Sequence, residues 1–251
     1  MKAFEIDSYA QGARFSDESD FFYDSTAKSF KDLSGYSDLG NNNVDVKEGS
    51  PVFNNAGVNA RRGLFIDGTM YADFFTPNAW NGTIILVVNY SYLAGGTVGD
   101  FLYISGDATL GSSNASVVMS HFSGNRIIRA VTAASQVVAP DYSIREDGTT
   151  VVYAFSFDQN TRRAYSTTDG ITVSQSSEYT ANAISGDFLA WGGGVRTRVG
   201  NLSGDTTNNA ASTKMEAVLF EQHCFTDNIL LTDLAKVKLL IDDLKEYYGV
   251  S

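Results

Sequence analysis

The 251-residue sequence has a single cysteine, three prolines and two histidines, and no apolar run long enough to cross a bilayer. One cysteine excludes an internal disulfide, and His121 and His223 lack the spacing partners of a zinc site. Positive charge is also scarce, with 18 basic against 29 acidic residues and a net charge of −11. A field of that sign disfavours nucleic acid and anionic membranes, so neither is expected as a partner.

Glycine and aromatic residues are abundant instead. The chain has 23 glycines and 12% aromatic residues, a composition typical of a globular protein with many tight turns. Its length fits either one large all-β domain or two small ones.

Apolar residues alternate with period two along most of the chain. In GTIILVVNYSYL (82–93), Ile84 and Leu86 share one face and Ile85 and Val87 the other, which predicts a strand buried on one side and partly covered on the other. The stretch 149–170 predicts a hairpin that turns at 158–161. Further short strand candidates, bounded by turn residues, are FLYISG, ASVVMSHF, NRIIRAV, GITVSQ, DFLAWGG and KMEAVLFEQ.

The C-terminus follows a different period. From Asp227 onward, apolar residues recur at steps of three and four, and Gly249 stands where a left-handed cap would end a helix. This predicts one closing amphipathic helix, whose apolar stripe comprises Leu230, Leu231, Leu234, Val237, Leu240, Ile241, Leu244 and Tyr248.

Two stretches resemble concanavalin A-like lectin/glucanase domains of the laminin-G-like type. Their closing strand, turn and helix are similar to KMEAVLFEQHCFTDNILLTDLAKVKLLIDDLKEYYGV at the end of this chain. Their opening is similar to DLSG (32–35), which is followed here by an Asn run and then by FIDG (65–68). The resemblance covers roughly residues 20–250. It implies an all-β jelly-roll sandwich of two antiparallel sheets with one C-terminal amphipathic helix, in which 29–42 leads out of the first strand. Residues 20–251 would form this domain, and residues 1–19 an added edge strand or a docking arm.

Some enzymes of this fold class cleave β-glucans with a Glu-x-Asp-x-x-Glu strand. Glu5-Ile6-Asp7 reaches Ala10 where the third carboxylate belongs, and Glu18-Ser19-Asp20 reaches Tyr23. Both acidic pairs are therefore interpreted as solvated or turn carboxylates. No catalytic residue is assigned, and the protein is predicted not to be an enzyme.

Other candidate groups have structural interpretations. His223 and Cys224 are adjacent, so on a strand their side chains would point to opposite faces. We interpret His223 as a surface residue and Cys224 as a buried packing residue. Gly192-Gly193-Gly194 lacks the lysine of a phosphate loop and indicates a tight turn. The arginine pairs 61–62 and 162–163, with Arg196 and Arg198, are interpreted as solvated or ion-paired side chains.

Laminin-G-like domains often bind calcium through loop carboxylates and carbonyls at the rim of the sandwich. Seven aspartates lie in turn-like stretches, but none of them belongs to a spaced calcium-binding loop. They are Asp67, Asp73, Asp100, Asp107, Asp169, Asp187 and Asp205. No metal ligand and no cofactor is therefore assigned, and calcium is left open.

The resemblance also implies a function. Sandwiches of this type act on surfaces outside a cell, whereas MKAFEIDSYAQGARF lacks the apolar core of a secretory signal. A virion protein is made in the host cytoplasm and acts outside the cell, which reconciles the extracellular role with the missing secretory signal. Similar domains are frequent in phage tail fibres and capsid decorations. The prediction is a non-enzymatic structural or adhesive virion protein, a homo-oligomer that contacts other virion proteins and host glycans through unassigned residues. The alternatives are a free carbohydrate-binding lectin and a divergent glycoside hydrolase.

Overall fold

Two antiparallel sheets and a C-terminal helical segment make up the described part of the chain. The computed structural model describes residues 6–33, 43–48, 50–54, 61–66, 71–74, 82–91, 98–105, 116–122, 125–131, 137–138, 149–158, 160–178, 197–199 and 216–251. Within these ranges, one sheet has eight strands and the other nine. The predicted two-sheet, all-β sandwich with a C-terminal helix is confirmed.

Strands are numbered in chain order. The first sheet runs in the order β15 (Ser174–Gln175), β14 (Arg163–Thr167), β13 (Thr150–Asp158), β8 (Gly82–Ser91), β17 (Glu216–Phe225), β6 (Gly63–Ile66) and β5 (Val52–Asn54), with β1 (Tyr9–Arg14) paired to β17. The second runs in the order β12 (Val137–Val138), β11 (Asn125–Val131), β10 (Ser116–Phe122), β9 (Val98–Ser105), β16 (Thr197–Val199), β7 (Tyr71–Phe74), β4 (Val44–Glu48), β3 (Ser29–Phe30) and β2 (Tyr23–Asp24).

Strand β17 is the centre of the first sheet. Along its whole length it pairs with β8, and on its other side it pairs with β6 at 217–219 and with β1 at 221–225. Residues near the N-terminus therefore hydrogen-bond to the last strand of the chain. The division of the chain into residues 1–19 and 20–251 stays a prediction.

Both faces of β8 are buried, which corrects the prediction that one face is only partly covered. Ile84 and Leu86 on one face and Ile85 and Val87 on the other are each at most 1% exposed. Ile85 and Val87 belong to one apolar cluster with Leu240 of the C-terminal helix. The helix thus covers the outer face of this sheet, and a strand between a helix and a second sheet has no solvated side.

The predicted hairpin is confirmed at β13 and β14. Asp158 ends β13, and its carboxylate accepts the backbone N–H groups of Asn160 and Thr161 at 2.7 and 3.3 Å. Arg162 has a φ of 53°, in the left-handed region. The aspartate side chain and the left-handed residue together reverse the chain between the two strands.

Aromatic rings connect the two sheets at one end of the sandwich. Phe30 of β3 lies with its ring centroid 5.0 Å from that of Phe15, which follows β1, and 6.1 Å from that of Phe53 in β5. Phe15 and Phe30 have no exposed surface. Edge-on aromatic contacts of this kind stabilise a core beyond the area they bury.

The C-terminal segment consists of a one-turn helix, α1 (Ile229–Thr232), and a longer helix, α2 (Leu234–Tyr248). The two are separated at Asp233, which is non-helical, and Leu231, one residue of the predicted apolar stripe, is 49% exposed. Gly249 caps α2 in the left-handed conformation, as predicted, with φ 65°. No helix within the described ranges is long and apolar enough to span a bilayer.

Candidate functional site

The central strand β17 carries a fully buried carboxylate. Glu221 has no exposed surface, and a bulge between Leu219 and Glu221 interrupts the pairing with β8. Glu221 Oε2 accepts hydrogen bonds from Arg14 Nε at 2.9 Å and from the Tyr248 hydroxyl at 2.7 Å. Glu221 Oε1 lies 3.0 Å from His223 Nε2. The carboxylate therefore joins β1, β17 and the last turn of α2.

His223 and Tyr9 extend this network. The Tyr9 hydroxyl lies 2.7 Å from His223 Nδ1. Both ring nitrogens of His223 therefore have a hydrogen-bond partner, Tyr9 at Nδ1 and Glu221 at Nε2. Gly12 pairs with His223 in the ladder, and a Cβ there would lie 1.8 Å from the Tyr9 oxygen. Glycine therefore leaves the space in which this hydrogen bond forms.

The protonation of the network is set by its surroundings. Burial raises the pKa of Glu221, but the hydrogen bond with His223 and the Arg14 guanidinium outweigh this and bring it to about 2. Burial raises the pKa of Tyr9 and of Tyr248, so both hydroxyls remain hydrogen-bond donors. Because Glu221 and His223 are fully buried, the network stabilises the fold and offers no surface to a substrate.

The depressed pKa of Glu221 predicts a loss of stability in acid. A carboxyl group with a folded pKa of about 2 and a usual value of 4.5 stabilises the fold above about pH 4.5, and this contribution is lost as the pH falls towards 2. Urea unfolding across this range should give a steeper fall for the wild type than for Glu221→Gln. Equal slopes would show that Glu221 does not titrate as a buried, paired acid.

A second cluster of charged and aromatic side chains reaches the surface beside the network. The Arg14 guanidinium lies 4.9 Å from the Phe22 ring centroid and 4.3 Å from that of Tyr247. The Arg61 guanidinium lies 4.1 Å from the Tyr247 centroid. The Phe21 ring, 69% exposed, meets Phe22 edge-on at 5.2 Å. Cation–π contacts thus hold Phe22 against Arg14 and Tyr247 against Arg14 and Arg61, and Phe21 packs on Phe22.

Two ion pairs involve the acidic residues that precede Phe21 in the chain, Asp17 and Glu18. Arg61 pairs with Glu18 at 3.9 Å and Arg62 pairs with Asp17 at 2.9 Å. The four side chains are between 28% and 42% exposed, so their polar atoms meet solvent. We refer to Asp17, Glu18, Phe21, Arg61, Arg62 and Tyr247 together as the Phe21 surface.

The sequence predictions for individual residues have mixed outcomes. Glu18 and Asp20 are exposed, as predicted, and Cys224 is 1% exposed, with burial raising the pKa of its thiol to about 12. His223 is not a surface residue, because it has no exposed surface. Arg61, Arg62 and Arg162 are confirmed as ion-paired, and Arg163 Nη1 donates to the Ser176 carbonyl at 3.2 Å. Glu5, the triple glycine and Arg196 lie outside the described residues.

The calcium candidates were only partly in turns. Asp73 lies in β7 and Asp100 in β9, so both belong to strands and not to turns. The Asp169 carboxylate accepts backbone N–H groups from Ile171 and Thr172 at 2.8 and 2.9 Å. Within the described ranges, no group of three or more His, Cys, Asp or Glu side chains could hold a metal ion. The other candidates, Asp67, Asp107, Asp187 and Asp205, lie outside them.

Sequence reasoning missed Glu221, although the sequence contains a signal for it. The segment EAVLFEQHCF places a glutamate between apolar residues in the middle of a predicted strand. A carboxylate in such a position requires charged or hydrogen-bonding partners. The Phe21 surface had no comparable signal, because its residues come from three distant parts of the chain.

Comparisons with known proteins identify the fold only through solved structures. No family model matches the chain, and no curated protein resembles it significantly in sequence. The ligand-binding domain of botulinum neurotoxin serotype D, solved in complex with N-acetylneuraminic acid, superimposes with a TM-score of 0.61 and 10% identity, over 97% of this chain and 53% of that one. The receptor-binding domain of botulinum neurotoxin type G gives 0.57 and 12% over 94% and 51%.

An enzyme is also among the similar structures. Trypanosoma rangeli sialidase, solved with the inhibitor DANA, superimposes with a TM-score of 0.56 and 12% identity, over 93% of this chain and 32% of that one. The chain therefore spans about half the length of the neurotoxin binding domains. At such low identity these likenesses establish the β-sandwich fold alone.

Proposed function

We propose that this protein is a non-enzymatic, concanavalin A-like sandwich module that binds glycans. The observation that carries the proposal is the Phe21 surface, where a 69% exposed ring closely follows in the chain two carboxylates that are paired with arginines. Sugar binding requires an aromatic ring together with hydrogen-bond donors and acceptors, because a sugar ring presents both C–H groups and hydroxyls. The similar fold of a domain solved with N-acetylneuraminic acid supports glycan recognition.

The carboxylates of this surface support binding without cleavage. Glycoside hydrolysis needs a carboxylic acid that an apolar site keeps protonated, together with a second carboxylate. Glu18 and Asp17 are exposed and each is engaged by an arginine. Glu221 lies in a suitably dry environment, but it has no exposed surface. Neither location combines a dry environment with access to a glycosidic bond.

We place this module on a virus particle, as a capsid decoration or a tail-fibre-type adhesive protein in many copies. The resemblance of its opening and closing segments to laminin-G-like domains of phage structural proteins supports this assignment. A small, exposed sugar site has low affinity by itself, whereas repetition on a symmetric particle converts weak contacts into avid binding. A homo-oligomer that contacts other virion proteins is the arrangement expected from this reasoning.

The proposal predicts glycan retention without product release. The purified chain, displayed multivalently on beads, is expected to bind a glycan array and to release no reducing ends from β-glucans, galactans or bacterial surface polysaccharides. Mass spectrometry of purified particles should also detect it. An array without any bound glycan would contradict the function, and release of reducing ends that stops on changing one acidic residue would establish the hydrolase. Glycan binding by a protein absent from every particle would favour the free lectin.

A further inference from the structure

The Phe21 surface is balanced in charge, which limits the ligands it can accept. Arg61 faces Glu18 and Arg62 faces Asp17, with N–O distances of 3.9 and 2.9 Å. The backbone N–H of Arg62 also lies 3.3 Å from Glu18 Oε1. Each arginine therefore already has a carboxylate partner, and each carboxylate has an arginine.

The Phe21 ring has one supporting ring contact and a supported turn. The Phe21 and Phe22 rings are 5.2 Å apart at 81°, and Phe22 lies under the Arg14 guanidinium. The Phe21 backbone N–H donates to the Ser19 hydroxyl at 3.1 Å, which holds the turn that carries the ring. A ring supported in this way has less conformational freedom to lose when a ligand stacks on it.

A charged ligand would compete with these ion pairs. A carboxylate-bearing sugar would compete with Glu18 or Asp17 for an arginine, and it would approach a chain of net charge −11. A cationic ligand would meet Arg61 and Arg62. A neutral hydroxyl, by contrast, can donate to a carboxylate and accept from a guanidinium while the ion pair stays intact.

We infer that the Phe21 surface binds neutral pyranose sugars, whose C–H face stacks on Phe21 and whose hydroxyls bridge the Arg61–Glu18 and Arg62–Asp17 pairs. This inference rests on the proposed glycan-binding function and adds the location and the ligand class. Because no ion pair is exchanged, the binding should depend little on salt.

The test uses the full chain and three soluble probes: lactose, maltotriose and sialyllactose. Affinity is measured by protein-observed NMR titration for the wild type, Phe21→Ala, and the control Ile171→Ala, in which another exposed apolar side chain is truncated. At least one neutral sugar is expected to bind, about tenfold more weakly to Phe21→Ala and equally well to Ile171→Ala. Sialyllactose should bind no better than lactose at low or high salt.

The outcomes separate this inference from the function on which it rests. Neutral-sugar binding that is unchanged in Phe21→Ala would overturn the site and leave the glycan-binding function standing. Preference for sialyllactose that strengthens at low salt and is lost in Phe21→Ala would keep the site and overturn the ligand class. Failure of the wild type to bind any of these sugars, together with an empty glycan array, would overturn the function itself.

Discussion

Glu221→Ala is expected to lower the free energy of unfolding by about 3–5 kcal/mol, because it leaves an unpaired charge in a largely dry site. The Arg14 side chain is only 11% exposed, and Glu221 accepts its Nε–H at 2.9 Å. The Tyr248 hydroxyl and His223 lose the same partner. Urea unfolding of wild type and variant at neutral pH measures this difference directly.

A surface ion pair provides the control. Lys238 and Asp242 pair on α2 with side chains 41% and 49% exposed, so Asp242→Ala should change the unfolding free energy by about 0.5 kcal/mol or less. In the double variant Arg14→Met, Glu221→Leu, both members of this buried ion pair are replaced by apolar side chains, and part of the lost stability should return. Equal, small effects for Glu221→Ala and Asp242→Ala would mean that water replaces the lost partner.

Leu240→Ala is expected to lower the free energy of unfolding by about 2–5 kcal/mol. Leu240 has no exposed surface and belongs to the cluster that joins α2 to the outer face of the first sheet, with Ile85 and Val87. Truncation therefore leaves a cavity between helix and sheet. The measurement is thermal or urea unfolding with the helical circular dichroism signal as the probe.

The neighbouring leucine is a matched control. Leu239 has the same side chain on the same helix but is 45% exposed, so Leu239→Ala should change stability by no more than about 0.5 kcal/mol. Similar losses for both variants would contradict the docking of α2 through its Leu240 face.

Much of the fold could be predicted because its signals are local. The alternation in β8 and β13 and the three- and four-residue steps of α2 each lie within one short stretch. Asp158 at the hairpin and Gly249 at the helix end are likewise local signals. Burial on both faces of β8 was not predicted, because it depends on the packing of α2, a helix more than a hundred residues later in the chain.

The buried network could not be predicted from local patterns. Arg14 and Glu221 are 207 residues apart in the sequence, and the bulge before Glu221 is invisible to an alternation rule. His223 was interpreted as a surface residue because its neighbour Cys224 was expected to be buried. A strand covered on both faces buries both neighbours, and this is what the structure shows.

The Phe21 surface illustrates the same limit for a candidate site. Glu18 and the pair Arg61 and Arg62 were each interpreted correctly as solvated or ion-paired groups. The pairing of β1 with β17 and the docking of α2 bring Arg61, with its partner Glu18, to Tyr247. Their chemistry therefore depends on tertiary contacts that no single segment specifies.

The most direct test of the proposed function is a crystal structure of the chain grown or soaked with the neutral sugar that binds best in solution. We expect a pyranose ring stacked on Phe21, with hydroxyls within hydrogen-bond distance of Glu18 or Asp17 and of their arginine partners. A sugar bound elsewhere on the molecule, with the Phe21 surface empty and open to solvent in the crystal, would contradict it.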